Sequence, residues 1–516
     1  MGSVPGQADV VVIGSGPAGA AVAARLAAEG RRVVVVEAGP GAPRPPSLRG
    51  LDLVAASGET EWLRPGLQVR DRPGGPRRAY RQGWGLGGGS AVNGMLLTSG
   101  DRADYQRWAD EWGCTGWDGD DLAPWLERAR AAWPVRLVEP GPIAEAVARA
   151  AVDDGMPRGG ASRDADRLGV LAAELSAVGD RRVTAADVHL STATATAVDA
   201  EAEAAEVRRR TGSNGSGATP TVLTGAPVTR IVPGSDRRPH AVELDGAGVI
   251  QAPLVVVCAG AIGTPAIVAR SGLTGRPIGR RFRDHPSYAF TLVARDRPDD
   301  AERLRAQPAV VSTVVRWSSG PDRVGDLQAV VIDRVTPVDH PGPPLAVVAV
   351  GLMVVTSTGS LTPRADEADP DVVTGQLTTA SDRQRLRAGV RTVAGWLASA
   401  PVDEVVAEVH LDDRGRPLAT LADLDPEAVD RLIASQPGPY AHPAATCPIG
   451  PEGRADAVVS AEPGRFGELF DRPGIRLADS AVFPDLVCGG LQLPVDAVAS
   501  RIAADIVGDW RHAGAG

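Results

Sequence analysis

The segment from residue 8 to residue 39 restricts the fold more than any other part of the chain. It reads ADVVVIGSGPAGAAVAARLAAEG followed by RRVVVVEAG, which predicts a buried strand, a glycine-rich turn, a helix and a second buried strand. Gly14, Gly16 and Gly19 form a G-x-G-x-x-G pattern, which permits a tight turn, lets the backbone approach a pyrophosphate and lets the helix pack on the sheet. Glu37 ends the second strand, where its carboxylate can accept hydrogen bonds from both ribose hydroxyls. This segment predicts a Rossmann-like fold that binds FAD or NAD rather than NADP.

The composition narrows the class of protein. A chain of 516 residues exceeds one ordinary core, and such a length suggests roughly two to four domains. The net charge of −10 argues against nucleic acid or an anionic membrane as a partner. All 54 basic residues are arginines, which excludes a Schiff-base lysine and the lysine of a P-loop.

Cysteine usage and hydropathy argue against metal, disulfide and membrane roles. The four cysteines lie far apart without a C-x-x-C pair, so neither a metal site nor a disulfide framework is expected. The first residues lack the regions of a signal peptide. The longest apolar run, residues 345–355, predicts a buried strand rather than a transmembrane segment. These features favour a cytoplasmic enzyme.

A second glycine-rich segment, YRQGWGLGGGSAVNGMLLTSG, covers residues 80–100. So many glycines indicate backbone that lies against something flat or bulky. A flexible linker is the alternative, but Trp84, Leu86 and Val92 among the glycines favour a cofactor contact.

Five segments in chain order resemble the glucose–methanol–choline (GMC) oxidoreductase family of FAD enzymes. They are GWGLGGGSAVNG with DYQRWADEWGCTGWDGDDLAPWLERA, then TVLTGAPVTRI, VVVCAGAIGTPAIVARSGL with RRFRDHP, AHPAATCPIG, and RLADSAVFPDLVCGGLQLP. The stretch QVRDRPGGPRRAYRQGWGLGGGSAVNG is also similar to the mycofactocin-associated branch, whose members pass electrons to a carrier rather than to oxygen.

The resemblance implies that FAD is the cofactor and that it is held without a covalent bond. Members that tether FAD through histidine do so in the glycine-rich segment, where this chain has Val92. In the family, the valine that falls on Val228 contacts the adenine through its backbone. The predicted cofactor contacts are Gly14, Gly16, Gly19, Glu37, Ala38, Arg81, Gly85, Gly87, Gly88, Ser90, Asn93, Gly94, Val228, Ala259, Asp479, Ser480, Leu491 and Leu493.

His442, in AHPAATCPIG, is the candidate catalytic residue. By itself an isolated histidine is more often a satisfied core residue, although a neutral imidazole can also take the proton of an alcohol. The resemblance implies that His442 faces the flavin as catalytic base, with protonation expected in the ordinary histidine range. His285, in RDHP, is expected to support the fold beneath the cofactor.

The last signature departs from the family pattern at Gly490. Family members usually place a second His or Asn there, opposite the base, and glycine offers no side chain for a hydrogen bond. Gln492 is the nearest amide. Four readings stay open: Gln492 reaches the substrate oxygen, a residue from elsewhere does, His442 works alone, or the loop is shifted in register and Gln492 is a solvated surface residue. Two smaller departures are Ala445, where the family expects glycine, and Gly89, where it usually has serine.

The fold class expected from these elements is α/β, or α+β overall. Residues 1–130, 220–286 and 437–516 are predicted to form a discontinuous FAD-binding domain, and residues 131–219 and 287–436 a substrate-binding domain whose antiparallel sheet covers the flavin. Pro494 suits the first turn of a final helix. The dipole of that helix would favour negative charge on the reduced flavin.

The function expected is FAD-dependent oxidation of a small-molecule alcohol, with hydride transfer to flavin N5 and His442 as base. Two alternatives remain: a non-redox lyase or isomerase that retains FAD, which Gly490 motivates, and a flavin-binding protein with little catalysis. The substrate and the electron acceptor, oxygen or a redox carrier, are left undetermined by the sequence.

Overall fold

A computed structural model describes residues 4–190, 219–235, 237–295, 297–336, 342–364, 369–436, 438 and 440–513. Part of the predicted segment 131–219 therefore lies outside the described residues. The strands, β1 to β25 in chain order, are Val10–Ile13, Val33–Val36, Gln68–Arg70, Arg77–Ala79, Arg136–Leu137, Arg158–Ala161, Gly169–Ala172, Glu174–Leu175, Ala177–Val178, Arg181–Arg182, Thr221–Leu223, Val228–Val232, His240–Leu244, Gly248–Ala252, Leu254–Val257, Ser287–Ala294, Val311–Trp317, Leu327–Ile332, Leu345–Leu352, Ser360–Thr362, Asp371–Val373, Val406–His410, Ile449–Gly450, Val459–Ser460 and Ile475–Leu477.

The α-helices are interspersed among these strands, and short 3₁₀ turns, such as Gly88–Ala91, connect them. The helices, α1 to α12 in chain order, are Pro17–Ala28, Leu53–Ser57, Arg102–Asp110, Gly119–Ala132, Pro142–Asp153, Ala185–His189, Gly260–Arg270, Pro298–Ala306, Ala380–Leu397, Ala400–Asp403, Pro426–Ser435 and Gln492–Ala513. None of the helices in the described part of the chain is both long and apolar enough to cross a membrane.

A five-stranded parallel sheet in the order β11-β2-β1-β15-β25 forms the centre of the nucleotide fold. Val10 pairs with Val33 on one side and with Leu254 on the other. The strands β1, β2 and β15 are buried along their whole length, which suits aliphatic residues on both faces of a parallel sheet. Helix α1 connects β1 to β2, so the strand–helix–strand prediction is confirmed.

A second sheet, called here the roof sheet, has the order β22-β16-β19-β18-β17-β7-β6. Its neighbouring strands are antiparallel except for the β6–β7 pair. The first eight residues of the run at 345–355 form β19, and most of them are buried, as predicted. Strands β6 and β7 belong to the predicted segment 131–219, and the other strands of this sheet belong to the predicted segment 287–436. Both segments therefore contribute to one sheet.

The final helix packs on α1 and α4, beside the parallel sheet. It begins at Gln492, so Pro494 lies in its first turn as predicted. Asp496 accepts hydrogen bonds from the indole of Trp133 and from the ring of His189, which ties the start of this helix to α6. The N-terminus of α12 is thereby fixed close to the glycine-rich segment at 80–100.

Candidate active site

One cavity of about 1140 Å³ extends between the parallel sheet and the roof sheet. The parallel sheet contributes residues that follow the carboxyl ends of its strands, including Gly14, Glu37 and Ala259. The roof sheet contributes aliphatic side chains such as Val330 and Val347. Ligands of open α/β sheets bind at the carboxyl ends of the strands, so this cavity is the candidate site.

Glycines form the floor of the cavity because no side chain would fit. Gly14 has φ +102°, and a Cβ there would lie 2.3 Å from the carbonyl oxygen of Cys258. A Cβ on Gly88 would lie 2.7 Å from the Cα of Gly16. Helix α1 starts after Gly16 without a side-chain cap, so its first N–H groups remain available to an anion such as a diphosphate.

The Glu37 carboxylate is buried and fully hydrogen-bonded to protein groups. Ser15 donates to Oε2 through its N–H (3.0 Å) and its hydroxyl (2.6 Å). The N–H groups of Gly39 and Gly85 donate to Oε1 at 3.0 and 3.2 Å. Ribose hydroxyls would compete with these donors, and the Ser15 hydroxyl is the one that can rotate away. Ribose binding by Glu37 stays a prediction.

Most of the residues predicted from the sequence lie in the cavity wall. They are Gly14, Gly16, Glu37, Ala38, Arg81, Gly88, Ser90, Asn93, Gly94, Val228, Ala259, His442, Asp479, Ser480, Gly490, Leu491 and Gln492.

Four predicted contacts lie behind the wall and have structural roles. Gly19 lets α1 approach the strand, because a Cβ there would lie 1.9 Å from the Gly14 carbonyl oxygen. Gly85 donates to Glu37, and the N–H of Gly87 donates to the Ser15 hydroxyl at 3.2 Å. Leu493 is fully buried.

His442 is held by a chain of hydrogen bonds that ends on a backbone carbonyl. Its Nδ1 lies 3.0 Å from Nδ1 of His285, and His285 Nε2 lies 3.1 Å from the carbonyl oxygen of Met353. A carbonyl only accepts, so His285 Nε2 carries the hydrogen and its Nδ1 accepts from His442 Nδ1–H. In this tautomer His442 Nε2 has a free lone pair. His285 thus contacts the candidate base directly, beyond the supporting role expected from the sequence.

Asp284 fixes the backbone of both histidines. Its Oδ1 accepts from the N–H of His442 (2.8 Å) and of His285 (2.9 Å), and its Oδ2 accepts from the hydroxyl of Tyr80 (2.7 Å). Burial raises the pKa of Asp284 to about 6. Removal from water lowers the pKa of His442 to about 4 and the pKa of His285 well below its usual range. The expectation of an ordinary histidine pKa is therefore corrected: both rings are neutral at neutral pH.

Elsewhere in the cavity wall, Gln492 is oriented by Asn93. Asn93 Oδ1 accepts from the N–H of Met95 (3.0 Å) and from Arg182 Nη1 (3.2 Å), so its amide group faces Gln492. Asn93 Nδ2 then donates to Gln492 Oε1 at 2.7 Å. Gln492 Nε2 is buried, and it has no hydrogen-bond partner among the described residues. Gln492 is therefore a buried amide with an unused donor, not a solvated surface residue.

Gly490 lies beneath Thr98, whose hydroxyl donates to the Gly490 carbonyl at 2.9 Å. A Cβ at this position would lie 3.3 Å from Thr98 Oγ1, a tight but adjustable contact. Ala445, the other departure, has φ +66°, in the region where glycine is favoured.

The described residues contain one group that could hold a metal, formed by Asp101, Asp104 and Cys488. Arg316 binds both oxygens of Asp101 at 3.1 and 2.6 Å, and Arg107 binds Asp104 at 2.6 Å. Because arginines already balance these carboxylates, the group is an ion-pair network that joins α3 to the roof sheet.

Comparisons with known proteins agree with this architecture. Two family profiles described as GMC oxidoreductase match residues 8–209 and 213–287, and residues 355–499. The chain belongs to the GMC oxidoreductase family. The predictions of an oxidoreductase, of its fold class and of FAD as cofactor are thereby confirmed.

Similar GMC oxidoreductases act on different small molecules, by their names. The chain is 26% identical to an oxygen-dependent choline dehydrogenase of Paraburkholderia phymatum, covering 97% of this chain and 92% of that protein. It is also 26% identical to a 5-(hydroxymethyl)furfural oxidase of Methylovorus sp., covering 97% and 98%. The crystal structure of pyridoxine 4-oxidase from Mesorbium loti superimposes with a TM-score of 0.78 at 24% identity, covering 97% of this chain and 99% of that one.

Sequence reasoning missed three residues at the site of this GMC oxidoreductase. Arg182 is fully buried and orients Asn93, and burial lowers its pKa to about 9. Gln328 and Tyr440 line the cavity near His442. Tyr440, two residues before His442, could have been noticed in the sequence. Arg182 and Gln328 carry no local pattern that would single them out.

Proposed function

We propose that this GMC oxidoreductase oxidises an alcohol and that His442 Nε2 removes the hydroxyl proton of the substrate. The observation that carries the proposal is the His442–His285–Met353 chain, because it leaves Nε2 as an acceptor in the cavity wall. Bound FAD supplies the acceptor for the hydride of the alcohol carbon.

The protein groups around His442 prepare it to take a proton. With a pKa lowered to about 4, His442 is unprotonated at neutral pH, but the same shift makes it a weaker base than an ordinary histidine. Asp284 holds the backbone at His442, and His285 holds the ring, so the lone pair has a fixed direction. After proton transfer, His285 Nδ1 remains the acceptor for His442 Nδ1–H. The relay therefore need not rearrange during the step.

Gln492 is the proposed partner of the substrate oxygen in place of the side chain missing at Gly490. Its Nε2 is a buried donor without a partner among the residues described, and an unpaired buried donor is costly until an acceptor arrives. Hydrogen-bond donation to the oxygen would stabilise negative charge while His442 takes the proton. The amide lies in the cavity wall, next to Asn93.

The test is anaerobic addition of alcohols to the purified protein. A bound flavin spectrum that bleaches with an alcohol, at a rate that saturates with its concentration, is the expected result. A broad panel of aliphatic, aromatic and sugar alcohols that leaves the oxidised spectrum unchanged would contradict the proposal. Peroxide yield against an artificial acceptor such as phenazine then separates an oxidase from a dehydrogenase.

A non-redox lyase or isomerase is the second candidate, and Gly490 favours it, because hydride transfer in this family normally uses a second His or Asn. Its signature is substrate conversion without change in the flavin absorbance. Untargeted profiling of a metabolite extract incubated with the protein, followed by anaerobic spectroscopy on the substrate found, distinguishes it from alcohol oxidation.

A further inference from the structure

The roof sheet presents an aliphatic face to the cavity, with one polar exception. Side chains alternate along a strand, so Gln328, Val330 and Ile332 of β18 lie on the same face. Their partners on β19 are Gly351, Ala349 and Val347 in that order. The residues of the roof sheet in the cavity wall are Val311, Gln328, Val330, Ile332 and Val347, and among these described residues none is charged.

The polar exception is paired with an aromatic ring for which the sheet leaves space. A Cβ on Gly351 would lie 2.9 Å from Cε2 of Tyr440, so only glycine at this position lets the Tyr440 ring settle against β19. Gln328, directly opposite Gly351, donates from Nε2 to the Tyr440 hydroxyl at 3.2 Å. Because Gln328 pairs with Gly351, its amide lies next to the space that the glycine leaves for the Tyr440 ring.

This pair has unused hydrogen-bonding capacity. Gln328 is 1% exposed, yet its Oε1 has no partner among the described residues. If the amide were turned over, Nε2 would be the unpartnered atom instead, so one neutral polar atom is left in either orientation. Burial raises the pKa of Tyr440 to about 12, so its hydroxyl keeps the proton and can donate it. A buried polar group of this kind calls for a partner that arrives with the ligand.

The position of the pair relates it to the reacting end of the substrate. The ring centroids of Tyr440 and His442 are 5.3 Å apart, and both residues line the cavity. The pair therefore lies beside the candidate base, so that one substrate can contact both His442 and the pair.

We propose that Gln328 and Tyr440 determine specificity by binding a second, uncharged polar group of the substrate, a hydroxyl or a carboxamide. The substrate class is thus an otherwise apolar alcohol with one further neutral polar group; this step rests on the proposed alcohol oxidation. The residues of the roof sheet that line the cavity carry no charge that could pair with a cationic or anionic group at this place. Removing such a group from water would therefore weaken its binding.

The first experiment compares 1,4-butanediol with 1-pentanol, in which a methyl group replaces one hydroxyl. We expect kcat/KM of flavin reduction to favour the diol by about tenfold or more, because a site built for a hydroxyl discriminates strongly against its absence. Gln328→Leu and Tyr440→Phe should abolish the preference by lowering kcat/KM for the diol, with little change for pentanol. Val330→Ala, on the same face, is the matched control and should change both alcohols alike. A wild-type preference for pentanol, or a preference that survives both substitutions, overturns the proposal.

The second experiment measures binding without turnover. Pentanamide and 2-hexanone differ only in an amide nitrogen or a methyl group, and their Kd values are obtained from the change in flavin absorbance. The wild type should bind the amide more tightly, and Gln328→Leu should equalise the two. Equal binding in the wild type refutes the pair as an anchor even if alcohols are oxidised. Preferred amide binding without oxidation of any alcohol instead refutes the proposed function and leaves the anchor standing. If Tyr440→Phe slows both alcohols equally, the hydroxyl acts at the reacting oxygen and the specificity role is refuted.

Discussion

Two parts of the cavity wall, called here the base side and the donor side, each orient a side chain through hydrogen bonds but leave opposite kinds of group unused. On one side, His285 and the Met353 carbonyl orient His442 so that the group left over is an acceptor. On the other side, Arg182 and Asn93 orient Gln492 so that the group left over is a donor. The alcohol hydroxyl, which both donates and accepts, is the ligand that can satisfy both sides at once.

The two sides also differ in electrostatics. On the base side both histidine rings are neutral, because burial has lowered their pKa values, and the charge next to them is the carboxylate of Asp284, whose pKa of about 6 leaves it mostly ionised at neutral pH. On the donor side, the guanidinium of Arg182 is buried behind Asn93. Burial lowers the pKa of Arg182, and the nearby positive charge of Arg44 lowers it further. Positive potential on that side would stabilise negative charge that develops on the substrate oxygen during the oxidation. The following predictions test this difference.

Replacement of the base should have the largest effect. His442→Ala is expected to lower the rate of flavin reduction by about two to four orders of magnitude, the usual scale for a lost general base. Cofactor content should stay unchanged, because the glycines predicted to hold the nucleotide are not altered. Stopped-flow reduction with absorbance-based flavin quantification checks both; a variant that reduces its flavin at the wild-type rate would remove His442 from the mechanism.

Loss of the relay should have a smaller effect than loss of the base. His285→Ala leaves His442 free to adopt the other tautomer, in which Nε2 carries the hydrogen, so we expect about 10- to 100-fold slower reduction. His285→Asn is the matched control, because an amide oxygen can still accept from His442 Nδ1–H, and it should recover part of the rate. Equal rates in both variants would mean that the relay does not set the tautomer.

The pH profile should reveal the lowered pKa of His442. Only the unprotonated ring accepts a proton, so the rate is full above the pKa and falls as the pH drops through about 4. No fall of the rate is therefore expected from His442 near pH 6.5, where an ordinary histidine titrates. A smaller fall is expected at about pH 6, where Asp284, which holds the His442 backbone, becomes protonated. A midpoint near pH 6.5 that remains in Asp284→Asn but disappears in His442→Ala would contradict the lowered pKa of His442.

The role of Gln492 as hydrogen-bond donor is tested by removing its amide and by placing a new amide at position 490. Gln492→Leu is expected to lower the reduction rate about tenfold, the scale of one hydrogen bond to the reacting oxygen. Gly490→Asn alone should slow the enzyme a few-fold, because the new Cβ crowds Thr98. In the Gln492→Leu background, the same Gly490→Asn change should recover part of the rate. A fully active Gln492→Leu variant would show that the reaction needs no donor from Gln492.

The smallest effect concerns stability near the base. Ala445 is buried at φ +66°, and relief of a left-handed alanine outweighs the entropy that glycine adds to the unfolded chain. Ala445→Gly is expected to raise the free energy of unfolding by up to about 1 kcal/mol. Thermal unfolding of the holoprotein measures it. A fall in Tm would show that this backbone is not strained.

The nucleotide half of the molecule could be predicted from the sequence because its signals are local. The glycines of the first turn, the two valine-rich strands and Glu37 fall within one short segment, and each fixes a backbone requirement at its own position. The final helix was predicted for the same reason, from Pro494 and its apolar spacing. His442 was reached through the family resemblance, since a single histidine has no pattern of its own.

The arrangement around His442 was decided only by the tertiary structure. His285 is 157 positions from His442, and Gln328 is 112 positions from Tyr440, so no local spacing connects either pair. The tautomer of His442, its lowered pKa and the unused amide of Gln328 depend on which groups lie within hydrogen-bond distance and on how much water burial removes. The sequence by itself determined the dinucleotide-binding fold, because local backbone requirements are enough for that. FAD and the candidate base followed from the resemblance to the GMC family. The direction of the lone pair and the polarity of the roof follow from contacts between distant strands, which only folding brings together.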